Sequence, residues 1–399
     1  MQKEIQLTVV GKVFKPNDQK VLALNRCLSE YHRLVRYYLK VNSTSKKELH
    51  ELYNEAKTAF NLPTALIQTA RDKAVEALKS FKGNAGEDSQ LKLKRVSIRF
   101  DVRCYSFSKT TNALTPYWLN LKLNHERRVS LPVVFGERQK ELIESAFREE
   151  LKFATVETVK RNGEWYTHFI LKKTVTFKDL PETVIGVDIG EANLVTAIAL
   201  TDKPSKGQFW HGSEIKQIRG LYNHVRRRLG ERQLLKKVKA IGKKERRKVD
   251  QQLHILANHV VKYAKQFPNS IIAMEDLNGL RERMKFSKRT NRRVHSMPYH
   301  KLQTYIEYKA NLAGIEVKYV EARNTSKTCH RCGHVARKVN GREIRCPNCG
   351  LIYNRDLNGA VNIAKLLKRE LGWGSVTPLN SQMRLKAESL SQTGEAHKL

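Results

Sequence analysis

The chain has 399 residues, with 75 Lys and Arg against 39 Asp and Glu, a formal net charge of +36. Hydrophobic residues make up 40%, enough for real cores and against a wholly disordered chain. So large a positive excess has no use in an enzyme for small neutral metabolites, and points to a polyanion: RNA, DNA or an acidic membrane surface.

At roughly 150 residues per domain, two or three domains are expected. No window approaches the roughly 20 apolar residues of a spanning helix. The start, MQKEIQLTVVGK, lacks the apolar stretch and small-residue cleavage site of a signal peptide, so a chain that stays inside the cell is expected.

Residues 4–14 alternate enough to predict a strand. Pro16-Asn17-Asp18 predicts a turn and a helix start. From about 19 to 82 the pattern is helical: Leu22, Leu24, Leu28, Tyr31, Leu34, Val35 and Tyr38 recur at three- and four-residue steps. A second helix is predicted near 46–60 and a third over 64–81, ended by Gly83-Asn84-Ala85-Gly86. The stretch 93–178 reads as β-rich, with strands at 97–107, 117–123, 153–161 and 164–173 and a short helix near 136–149. A small barrel or curved sheet is expected, with the first strand joining it.

After Pro181 the character changes. VIGVDIG (184–190) and LVTAIAL (194–200) predict a hairpin, with a third strand at 207–212. A long helical segment over 214–266 follows, then a buried strand IIAMEDL (271–277), a helix near 298–313 and a strand at 316–322. A cysteine segment precedes a helix over 356–370, and a loosely ordered tail is expected after Gly372. Strands alternating with helices predict an α/β domain. Two basic runs stand out. Lys216–Lys248 holds 14 Lys or Arg and two acids, and Arg281–Arg293 holds seven and one. Too few acids are present to pair these charges along a helix, so a phosphate-tracking surface is expected.

Of six cysteines, four form two Cys-x-x-Cys knuckles: Cys329, Cys332, Cys346 and Cys349. Two close pairs in a reducing compartment predict one tetrahedral zinc rather than disulfides. Gly333 and Gly350 suit the sharp turn after each knuckle. Four thiolates leave no open position for water, so the metal is expected to be structural.

Three acids draw notice together. Asp188 ends one apolar strand, Glu275 ends another, and Asp356 opens the last helix. A strand-end acid among apolar neighbours costs desolvation energy unless something pairs with it, and a divalent cation suits. Such acids can converge on two hard ions that activate a water and stabilise the leaving oxygen of a phosphodiester. Alternation alone does not choose between Glu275, which shares a face with Ile271 and Ala273, and Asp276, which shares the other with Ile272 and Met274.

GVDIG, the EDL strand end and the cysteine knuckles followed by Arg355-Asp356-Leu357-Asn358 resemble the TnpB family. These are transposon-encoded RNA-guided nucleases related to the type V CRISPR effectors. The resemblance is specific over 184–364 and weaker over 1–180, where only the layout matches. It implies an α/β multidomain chain: an RNase H-like (RuvC) nuclease domain with an inserted zinc ribbon, plus an N-terminal helical lobe and a β-barrel wedge domain. The implied division is a first wedge strand at 1–15, a helical recognition lobe at 16–90 and a β-rich wedge at 91–180. The nuclease domain takes 181–324 and 354–370, around a ribbon at 325–353, with a tail at 371–399.

The resemblance implies Asp188, Glu275 and Asp356 as catalytic ligands of two Mg2+ ions, one structural Zn2+ on the cysteines, and Arg355 and Asn358 as supporting polar groups. It selects Glu275 over Asp276. It also implies a guide RNA derived from the transposon end, a double-stranded DNA target beside a short flanking motif, a possible functional link to a separate transposase, and a prokaryotic cytoplasmic, nucleoid-associated location. Base pairing would supply most of the specificity. Family members often have Asp where this chain has Asn354, and Ala-Ala where it has Gly359-Ala360; neither change removes a proposed ligand. With no second metal-like cluster between Glu275 and Asp356 other than the cysteines, one active site is expected to cut both strands in turn. Two alternatives stay open: an RNA-independent structure-selective nuclease or transposase on the same fold, and a non-catalytic nucleic-acid-binding regulator.

Overall fold

The computed structural model describes residues 2–84, 91, 93, 96–111, 115–125, 128–178, 181–201, 206–277, 297–321, 324–335 and 342–373. Two compact units result: Glu4–Thr174, and Met1–Lys3 with Val175–Leu399. Among the described residues no helix is long and apolar enough to cross a membrane. The basic run Arg281–Arg293 and the tail beyond 373 lie outside the described residues.

In the first unit, β1 (Gln2–Val13) leads into α1 (Asp18–Lys40). Asn17 caps that helix by accepting the Lys20 N–H at 3.0 Å. Leu24, Tyr31, Leu34, Val35 and Tyr38 are buried as the spacing predicts, while Leu22 is 50% exposed. The helix predicted over 46–60 is two, α2 (Lys46–Glu51) and α3 (Tyr53–Ala59). Leu52 leaves helical geometry with ψ near 3°, which lets both short segments seat a buried residue, Leu49 and Ala56. They precede α4 (Thr64–Lys82).

The strand predicted over 97–107 is also two, β2 (Ile98–Phe100) and β3 (Tyr105–Lys109). Asp101 breaks it, accepting the Arg103 N–H at 3.0 Å in a side-chain turn. Next come β4 (Tyr117–Lys122) and β5 (Arg128–Val134), then α5 (Glu137–Phe147), β6 (Lys152–Arg161) and β7 (Glu164–Thr176). The sequence does not predict β5, because it carries Pro132 and proline demotes a strand. Its pairing with β1 covers only Val133 and Val134, so the proline stands where that side of the ladder is just beginning.

These strands make one seven-stranded sheet, ordered β2-β6-β7-β1-β5-β4-β3. It curls: the Tyr105 hydroxyl on β3 donates to the Ala154 carbonyl of β6 at 3.2 Å. Phe107 also meets Phe169 with ring centroids 4.5 Å apart. Helices and sheet share one hydrophobic core, from Leu24 and Leu66 to Leu131 and Phe169.

The second unit is built on a five-stranded sheet, ordered β10-β9-β8-β11-β12. β8 (Thr183–Asp188) and β9 (Asn193–Leu200) form the expected antiparallel hairpin, and β10 (Gln208–His211) extends it. The long helix predicted over 214–266 is a helical hairpin, α6 (Ser213–Glu231) and α7 (Leu235–Ala264). Gln233 takes φ of +53° there, and the Leu234 N–H closes on the Leu229 carbonyl at 2.9 Å, so the chain reverses. β11 (Ser270–Glu275) then pairs in parallel with β8. α8 (Tyr299–Leu312), β12 (Val317–Val320), β13 (Glu343–Arg345), β14 (Ile352–Asn354) and α9 (Arg355–Glu370) complete the described elements.

Both faces of this sheet are covered, which is why β8, β9 and β11 read as unbroken apolar runs. Ile185, Val187, Ile272 and Met274 pack into a core with α7 and α8. Val184, Ile271 and Ala273 face α9 through Leu357, Ala360 and Ala364. The approach of α9 to β8 is so close that only glycine fits at 186: a Cβ there would lie 1.9 Å from the Ala360 carbonyl oxygen. We therefore expect Gly186→Ala to unseat α9 and cost about 3 kcal/mol or more. Denaturant and thermal melts of the full chain check this; a melt unchanged from the parent would contradict it.

Candidate active site and metal centre

Strand alternation decides the face of each acid. Val184 and Gly186 look toward α9, so Asp188, two residues on, looks the same way. On the neighbouring parallel strand, Met274 stands beside Val187. Ile271 and Ala273 face α9, which puts Glu275, and not Asp276, on the side of Asp188. The Asp276 N–H instead bonds the Val320 carbonyl at 3.0 Å.

Asp356 stands in the first turn of α9. Asn354 caps the helix, accepting the Asp356 and Leu357 N–H groups at 3.0 and 3.2 Å. One turn on, a Cβ at Gly359 would stand 3.2 Å from the Asp188 carboxyl carbon. The helix face that carries Asp356 thus lies against Asp188. Glycine at 359 leaves that much room beside the carboxyl.

The electrostatics record the convergence. Burial pushes the Asp188 carboxyl up to about 7, and the Asp356 and then the Glu275 carboxylates push it the same way; Arg355 and the Ile189 N–H offset part of this. Two further side chains hold the site. Asn193, buried at the start of β9, donates from Nδ2 to Asp356 Oδ2 at 2.7 Å. Gln303 on α8 donates from Nε2 to the Glu275 carbonyl at 2.7 Å. Neither stands out in the sequence, where each has polar as well as apolar neighbours. Three hard oxygen donors with mutual repulsion and few countercharges suit magnesium-type cations.

The four predicted cysteines meet. Their sulfurs all lie within 4.8 Å of one another. Cys329 and Cys349 are 3.7 Å apart, and Cys332 and Cys346 3.5 Å. Zinc–sulfur bonds of about 2.3 Å give tetrahedral edges of about 3.8 Å, so the quartet is compatible with one structural zinc. Gly333 and Gly350 take φ of +75° and +69°, the left-handed turn that favours glycine. Among the described residues no set of three or more acids, histidines or cysteines is gathered as tightly as this one; the carboxyl trio is looser.

The cysteine module is stapled to α9. β14 pairs with β13 and runs directly into the helix at Arg355. Asn358 accepts the His330 N–H at 3.0 Å and donates to the Thr325 and Thr328 carbonyls at 3.1 and 2.8 Å. Asn362 donates to the same two carbonyls, both at 2.7 Å, and Lys365 to the His330 carbonyl at 2.5 Å. Asn358 therefore supports the site through the cysteine module rather than by touching the acids. His330, inside the first knuckle, turns its Nδ1 to Asn358 Oδ1 at 3.0 Å.

Known proteins resemble this chain. The family model described as the Cas12f1-like TNB domain matches residues 299–363. A TnpB-like protein of Methanocaldococcus jannaschii is 30% identical over 248 residues, 59% of this chain and 86% of that one. The CRISPR-associated endodeoxyribonuclease Cas12f2 of a Micrarchaeota archaeon is 28% identical over 225 residues; the match covers 51% of this chain but only 40% of that longer protein. A Cas12f1 chain solved with sgRNA and target DNA shares the fold, with a TM-score of 0.67 at 14% identity over 91% of this chain and 98% of that one.

Two outcomes are expected. Purified chain should release one zinc when its thiols are titrated with a mercurial, and Cys346→Ser should release none and melt lower. For Asp188, the folded pKa of about 7 exceeds the ordinary 3.8. The folded chain therefore keeps a proton that the unfolded chain has lost. The stability this gives is full below about pH 4 and is lost as pH rises through about 7. In magnesium-free buffer, Asp188→Asn should flatten that decline and raise Tm at pH 8 by about 2–4 °C. A melting profile that still falls in parallel with the parent's would contradict the shift.

Proposed function

This chain belongs to the TnpB family, and on that premise we propose that it is the RNA-guided DNA endonuclease of a transposable element. It cleaves guide-complementary DNA beside a short flanking motif. The single observation that carries the catalytic part is the convergence of the three acids: the α9 face bearing Asp356 lies against Asp188 at Gly359, and burial together with the Asp356 and Glu275 carboxylates pushes the Asp188 carboxyl up. The guided part rests on relatives: one is named an endodeoxyribonuclease, and another was solved with sgRNA and target DNA. In this reading the five-stranded unit is the RuvC-like nuclease domain, and the cysteine module is its zinc ribbon. The curled sheet and helices of Glu4–Thr174 are the wedge and recognition lobe.

Asp188, Glu275 and Asp356 would hold two magnesium ions, and ions bound there would supply an activated water and a stabilised leaving oxygen. Asp188 gives up its proton to become a ligand. Asn193 fixes the Asp356 carboxylate, Gln303 fixes the backbone at Glu275, and Asn354 sets where α9 begins. The basic α6–α7 hairpin takes phosphates. A guide RNA from the transposon end supplies the sequence, with the protein holding the heteroduplex by shape and charge.

The test is to sequence the RNA that copurifies with the chain and offer a plasmid carrying its complement. Magnesium-dependent cutting is expected with the RNA and none without it. Asp188→Ala, Glu275→Gln and Asp356→Asn should each fall below about one-thousandth of the parent rate while RNA still copurifies. Cutting that ignores the RNA would favour a structure-selective nuclease, and no cutting by any preparation would leave a non-catalytic binder.

A further inference from the structure

Outside the acid cluster, the second unit holds a cavity of about 470 Å³ where α6, α7 and the start of α8 meet. Its charged lining is Arg219, Arg226, Arg246 and Lys301 against Glu245 and Asp250. Two of the cations are already matched. Arg226 pairs with Glu245, and Lys301 Nζ lies 2.5 Å from Asp250 Oδ1. That leaves Arg219 and Arg246 in excess.

Arg219 is the telling one. Its Nε–H is buried and meets no acceptor among the described residues. A buried donor without a partner is left with its desolvation uncompensated, the more so when charged, and desolvation lowers the readiness of this guanidinium to stay protonated. Arg246, exposed on the next helix, has no ion pair among the described residues. A guanidinium fork matches the oxygens of a phosphate. The matched pairs hold Arg226 and Lys301 at the walls without cancelling the excess.

The geometry points to a phosphodiester-binding site in this cavity, with a backbone phosphate of the bound nucleic acid taken by Arg219 and Arg246. The inference rests on the nucleic-acid reading above for the class of its ligand. It gives that reading a defined seat in place of a diffuse basic face. The seat is tied to the acids: Lys301 is two residues from Gln303 on α8, and Gln303 holds the Glu275 carbonyl.

The experiment uses full-length chain stripped of copurifying nucleic acid. Binding of a labelled single-stranded RNA, the same sequence as DNA, and their hybrid duplex is followed by anisotropy from about 50 to about 300 mM salt. For Arg219→Met with Arg246→Gln, the slope of log Kd against log salt should drop by about 1. Arg246→Gln alone, at an exposed position, should give part of the drop with an unchanged melt. The control, Lys262→Gln with Lys265→Gln, removes the same charge from exposed positions beyond the basic run, at the far end of α7.

A drop confined to RNA assigns the phosphate to the guide, one confined to DNA to the target, and an equal drop supports a phosphodiester of either strand. Parent-like slopes with all three ligands, or an equal drop in the control, would overturn the site. Guided cleavage by the parent chain is scored in the same preparations. If the parent cuts while the slopes do not move, the cavity site fails and the nuclease reading stands. If the slopes drop while nothing cuts, the site stands without the nuclease.

Discussion

Like charges crowded together in half-buried positions set the terms of the second unit. Asp188 and Glu275 end adjacent parallel strands, and Asp356 opens a helix laid against them. Two neighbouring parallel strands cannot be joined by a tight turn, so the chain must cross over between β8 and β11. The β9–β10 hairpin extension and the α6–α7 helices fill that crossover. The helix must come close enough for its acid to share the strand ends, and glycine at 186 is what lets it.

α9 is therefore worked from two sides. Asp356, Gly359 and Ala360 face the sheet and its acids. Asn358, Asn362 and Lys365, spaced four and three apart, face the cysteine module. Five of these contacts are hydrogen bonds to backbone carbonyls around Thr325, Thr328 and His330. Each is worth about 1 kcal/mol net, but a broken one leaves a buried group unmet. A four-cysteine module of little size of its own thus fixes the entry of the helix that carries a candidate catalytic acid. Its second strand passes into that helix without a loop.

Local signals proved legible where chemistry is local. Asn17 caps a helix as the Pro16-Asn17-Asp18 turn predicts, and Gly333 and Gly350 take the left-handed turns that the knuckles need. Breaks were not legible where packing alone makes them. No glycine or proline marks the break at Leu52, and at Gln233 the cue is a single Gly230 three residues earlier. The Pro132 strand is hidden by the opposite fault, a breaker tolerated because its ladder is half unpaired.

That the four cysteines would gather was legible in the sequence, since their paired spacing holds wherever the chain goes. Which acid at 275 or 276 turns inward was not, because alternation gives two equal faces until a helix covers one of them. That α9 covers the face of Ile271 and Ala273 is a fact of tertiary packing. So is the meeting of three acids 168 residues apart from first to last, since sequence carries the side chains but only the sheet and the covering helix bring them to one place.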